Sequence, residues 1–133
     1  MNEYEIWSTY QTSLISRAMF MLMVFFMAWF ACRVSANVAA NPNSNLLSKV
    51  VTSIFGLVVV YFGIVQQAFT VWTNQAAAYS LAQLEDRSDR FDNFIAFFST
   101  GSEPTYSIMP DPFTAIFWLC IALFILVPLW TKS

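Results

Sequence analysis

Between Val50 and Trp72 the chain runs for 23 residues without one charged side chain. At the helical rise that is about 34 Å, enough to cross the roughly 30 Å hydrocarbon core of a bilayer. A second run, Phe113 to Trp130, has 18 residues. A third extends from Leu14 to about Val38, with a charge-free centre, Ala18 to Cys32, between Arg17 and Arg33. That centre covers only about 22 Å, so both arginines must sit within the span and reach outward to the headgroups. In hydrocarbon every backbone N–H and C=O has to be satisfied inside the segment, which the helix does by itself. The expected fold is all-α: a polytopic integral membrane protein in a single membrane domain, 1–133. Its three transmembrane helices are 14–38, 50–72 and 113–130, with short amphipathic interfacial helices beside them.

Composition agrees with this reading. Only 11% of the 133 residues are charged, against roughly 25% in soluble domains, so the chain lacks material for a water-facing surface. Met1 opens onto Asn2 and Glu3 without a basic n-region, the start expected where no signal peptide has been removed. Trp7 and Tyr10 precede the first run, Trp29 lies near its far end, and Trp72 and Trp130 close the other two. That is the aromatic belt of a spanning protein. The turn formers Asn41-Pro42-Asn43-Ser44-Asn45 end the first helix. Asp111 is the expected N-cap of the third, with Pro112 in its first position.

Basic residues near the span ends set the expected orientation. Arg33, Lys49 and Lys132 share one side and only Arg17 lies on the other. The first loop and the C-terminus are then cytoplasmic and the N-terminus outside, in a bacterial inner membrane. Arg87 and Arg90 lie far from any span and weigh little. All eight acidic residues fall outside as well.

Two further elements are expected outside the spans. Residues 2–13 form a short interfacial helix, with Asn2 as N-cap and Glu5 at the capping-box position. Within the external loop 73–112, an amphipathic helix is predicted over 89–99, with Ser88 as N-cap and Gly101 as stop. Phe91, Phe94, Ile95 and Phe98 line one face, opposite Asp89, Asp92 and Asn93. Each such side chain left in water costs very roughly 1.5–3 kcal/mol. The face is therefore expected to contact a partner or the membrane surface, with Trp7 and Tyr10 nearby.

The cleanest pattern is in the second span. Ser53, Gly56, Val60, Gly63, Gln67 and Thr70 follow a three-four spacing that keeps them on one stripe of a left-handed helix pair. Small residues let helix backbones approach closely, which makes this the expected helix-packing interface. A water-facing pore stripe is the alternative, but its middle is Gly56, Val60 and Gly63. Gln66 and Gln67 call for hydrogen-bond partners in or near hydrocarbon, from neighbouring helices or from a quinone-like ligand. Met19, Met23 and Met27, with Cys32 beyond, have the soft ligands of a copper conduit, although stacked methionines on an apolar helix more often fill gaps. The charge cluster Glu85 to Asp92 lacks calcium-loop spacing and reads as a solvated, self-neutralising turn.

No histidine is present, which removes bis-histidine haem and the usual zinc and non-haem iron sites. No nucleophile–base pair, phosphate loop or basic tract is found. The expectation is a non-enzyme with no cofactor, metal or nucleic acid. Its size and span number are similar to those of membrane subunits of fumarate reductase and succinate dehydrogenase. Its outside-in-out-in course is similar to that of three-span phage holins, without their basic tail. Two functions follow. One is a non-catalytic accessory subunit of a hetero-oligomeric membrane complex, such as a respiratory, oxidase or monooxygenase assembly, whose partners are other integral membrane subunits and the lipid bilayer. The alternative is a homo-oligomeric channel or holin-like pore former.

Overall fold

The computed structural model describes residues 2–85, 88–99 and 101–131. Asp86, Arg87 and Lys132, which enter the charge readings above, lie outside the described residues. The protein is 83% helical, with no strand among the described residues. Helix α1 runs from Glu3 to Ala40 and α2 from Leu46 to Ala82. A 3-10 turn, Asp89–Phe91, leads into α3, Asp92–Phe98, and α4 covers Pro112–Thr131. By length and composition α1, α2 and α4 are each able to cross a membrane. The chain is a multi-pass membrane protein.

Both long helices outrun their apolar stretches. Residues 2–13 are not a separate interfacial helix, because α1 begins at Glu3 and continues without a break. Nothing between Glu3 and Ala40 is Gly or Pro, so no residue stops it. Likewise α2 continues ten residues past Trp72 into the stretch expected to be loop. Ala76, Ala77, Ala78 and Leu81 are strong helix formers, and hydropathy falls at Trp72 without any change in helical preference.

The helix ends follow local chemistry. Asn2 caps α1 by accepting the Glu5 N–H at 2.9 Å, and α1 stops two residues before Pro42. Asn45 caps α2 through the Ser48 N–H, also at 2.9 Å. At α4, Asp111 accepts hydrogen bonds from the Thr114 hydroxyl and backbone, which hold its carboxyl below the usual range.

The chain divides into two compact units. One comprises 20–66 with 110–133. It contains three helical segments of about 20 residues each, which match the roughly 30 Å hydrocarbon thickness. The hairpin at Asn41–Asn45 sets α1 antiparallel to α2, and α4 runs antiparallel to α2. Val24, Ala28, Val59 and Trp118 form one part of the core, and Ala31, Ile125 and Leu129 the other. Leu22, Phe26, Ile54, Leu119 and Phe124 point outward and are exposed, the surface such a bundle turns to lipid or to other helices.

The other unit comprises 1–19 with 67–109. Here the first half of α1 lies against the end of α2, and the 3-10 turn and α3 fold back onto both. Ile6, Leu81 and Phe91 are its buried centre, surrounded by Trp7, Leu84, Phe94 and Ile95.

Candidate functional site

Three features of the fold carry the residues that chemistry or recognition would need: a glycine seam, an aromatic cluster and a cavity.

The seam lies between α2 and α4. A Cβ added at Gly56 would stand 2.6 Å from Cγ2 of Ile125, and one at Gly63 would stand 2.1 Å from Cζ2 of Trp118. The two glycines are seven residues apart, as are Trp118 and Ile125, so each large α4 side chain fills a notch one heptad from the next. At the end of the seam Trp130 Nε1 donates to Ser53 Oγ at 2.9 Å, while Ser53 donates to the Lys49 carbonyl at 2.8 Å. Val60 packs beside them on the core around Trp118. Four of the six stripe residues thus serve one interface within the chain. Gln67 and Thr70 belong to the other unit, where both are half-buried, as Gln66 is in its own.

The same bundle ties α1 to α4 through Ser35. Its fully buried hydroxyl donates to the Ile125 carbonyl. Phe25 stacks parallel to Trp118 with ring centroids 6.0 Å apart.

Within the other unit, the residues expected to meet a partner or the membrane surface meet one another. Trp7 of α1 lies 4.9 Å from Phe91 and 5.3 Å, edge-on, from Phe94, by ring centroids. Tyr10 lies 5.2 Å from Phe94, and Phe98 extends the cluster 4.9 Å further. Ile95 packs against the same core, and Phe91 is buried. Such tilted and edge-to-face pairs are the favoured aromatic geometries. The apolar cover that this face requires comes in large part from α1. Phe97, at 81% exposed, is the aromatic side chain of α3 left outward.

A polar clasp closes the cluster. Glu3 accepts the Ser88 N–H at 2.6 Å and the Ser88 hydroxyl at 2.7 Å, with an Arg90 guanidinium nitrogen at 3.4 Å. These bonds, the Ser88 hydroxyl first, hold the Glu3 carboxyl below its ordinary range. Ser88 precedes the 3-10 turn but makes no side-chain cap, because its hydroxyl is committed to Glu3. Ser88 and Arg90 are thus anchored to the first turn of α1. Gly101 adopts the left-handed φ of +79°, three residues beyond the end of α3.

The cavity lies in the same unit, between the first half of α1 and the end of α2, and measures about 250 Å³. Thr9, Ser13 and Arg17, one turn apart, form its α1 wall, and Thr73, Ala77 and Ser80 face them from α2. Small side chains on both helices leave the gap. Ile6 packed on Leu81 at one end, and the Arg17 guanidinium 4.6 Å over the Phe69 ring at the other, hold the helices apart. The Tyr10 hydroxyl donates to Asn74 Oδ1 at 2.7 Å beside it, and burial pushes this phenol's pKa up. Sequence reading misses this cavity because it assigns one wall to an interfacial helix and the other to a loop. The available signal is Thr9, Ser13 and Arg17 at four-residue spacing, ending on a cation.

The methionines do not converge. Met19 and Met23 are at least half exposed, and Met27 packs on the core around Val24. Cys32 is half-buried and Cys120 exposed, both free thiols. Among the described residues no three His, Cys, Asp or Glu side chains gather as a metal site. Comparison of the chain with known protein families, with curated proteins and with solved structures finds no match.

Proposed function

We propose that this chain is a non-catalytic subunit of a hetero-oligomeric membrane complex, to which it adds three helices and a folded external cap. The observation that carries this reading is the closed seam. Gly56 and Gly63 are occupied by Ile125 and Trp118, and Ser53 is bonded to Trp130, so the part of the stripe from Ser53 to Gly63 that a pore would need in its wall packs within the chain. What remains for neighbours is the outward apolar surface, including Phe26, Leu119 and Phe124, together with Phe97 on α3. Surfaces of this kind associate by close packing with other membrane helices. Arg33 and Lys49 flank the first hairpin while Arg17 stands at the opposite end of its apolar run, which supports an N-terminus outside and a bacterial inner membrane.

The test is extraction of the tagged full chain from its native membrane in mild detergent, followed by native electrophoresis and identification of what comigrates. Larger integral membrane subunits in fixed stoichiometry are the expected result. A homo-oligomer that conducts ions in planar bilayers would establish the channel or holin-like alternative instead.

A further inference from the structure

The cavity between α1 and α2 has the composition of an oxyanion site. Its lining includes one cation, Arg17, and no carboxylate among the residues that form it. Thr9, Ser13 and Ser80 add hydroxyl donors, and Trp72 and Ile6 supply an apolar edge. Guanidinium groups pair with phosphate oxygens through two parallel N–H bonds, and the Arg17 guanidinium lies 4.6 Å over the Phe69 ring at one end of the cavity. The volume of about 250 Å³ is below that of drug-sized sites and suits one small polar group.

Depth selects the source of that group. Arg17 borders the charge-free run Ala18 to Cys32, and Trp72 closes the run that begins at Val50. Both residue types mark the edge of the hydrocarbon, where lipid phosphates lie. We propose that this cavity holds the phosphodiester headgroup of an anionic phospholipid, with Arg17 pairing the phosphate and Ser13, one turn away on α1, bonding one of its oxygens.

The test uses the full chain in nanodiscs of phosphatidylcholine containing a minor share of phosphatidylglycerol, with retained lipid counted by native mass spectrometry. Wild type should keep one phosphatidylglycerol in preference to phosphatidylcholine. Arg17→Gln should lower that preference about fivefold, the effect of one cation at a membrane surface. Ala76→Leu, which fills the cavity and leaves the charge in place, should abolish it without changing helical content, and it decides the matter if Arg17→Gln does not fold. Equal retention of the two lipids by wild type, or unchanged preference in both variants, overturns the proposal. Displacement of the lipid by an equal concentration of free glycerol 3-phosphate also overturns it, by assigning the site to a soluble phosphate ester.

Discussion

Trp118 occupies the space that a side chain on Gly63 would need: a Cβ there would fall 2.1 Å from Cζ2 and 2.4 Å from Cε2 and Cη2 of the indole. The ring is rigid and only 2% exposed, so it has little room to withdraw. At Gly56 the opposing atoms belong to the aliphatic side chain of Ile125, which has rotamers to move through. Gly63→Ala should therefore destabilise the bundle more than Gly56→Ala, by about 1–3 kcal/mol as overpacking does. Thermal unfolding in detergent measures both. Combining Gly63→Ala with Trp118→Phe should recover part of the loss, and purely additive effects would argue against this contact.

The Glu3 clasp makes the segment from Ser88 to Phe98 acid-sensitive. Its folded pKa is depressed, so its contribution is present above the unfolded glutamate pKa and is lost as pH falls through the lower folded value. Fluorine-labelled Trp7, whose ring packs at a tilt against Phe91, reports the change. Its resonance should shift toward a solvent-exposed position on acidification below the ordinary glutamate range, and Glu3→Gln should reproduce that shift at neutral pH. A resonance indifferent to both would mean that the aromatic contacts alone hold the segment.

Phe91 and Phe97 separate internal packing from partner contact. Phe91→Ala removes a buried ring and should cost about 3 kcal/mol or more, seen as loss of hydrogen-exchange protection across 88–98. Phe97→Ser, at an exposed position, should change stability by less than about 0.5 kcal/mol yet reduce the subunits recovered with the chain. Equal recovery with wild type would remove Phe97 from the proposed interface.

Topology is open to cysteine labelling. In a Cys32→Ala, Cys120→Ala background, Asn43→Cys and Ser102→Cys should react with an impermeant maleimide from opposite sides, Ser102→Cys from outside. Outside labelling of Asn43→Cys would reverse the orientation, and same-side labelling of both would change the number of crossings.

The sequence alone determines the parts of this protein that depend on neighbours along the chain. Hydropathy over 18 or more residues marks three helices, and Asn2, Asn45 and Asp111 meet N–H groups two to three residues away. Phe91, Phe94, Ile95 and Phe98 share a face whatever lies opposite. Gly56 and Gly63 can be read as a packing stripe because heptad spacing is local. What fills the stripe cannot be read, since Trp118 and Ile125 reach it only once α4 has docked. The same holds for Glu3 and Ser88, which are 85 residues apart in the chain and joined by two hydrogen bonds. Hydropathy also ends α2 too early, because it measures the preference for lipid while helix propensity continues to Ala82. Only with that extension does Ser80 come opposite Thr9 and the cavity exist. Tertiary structure decides such features because they depend on which surfaces meet, and surfaces meet through geometry summed over whole helices.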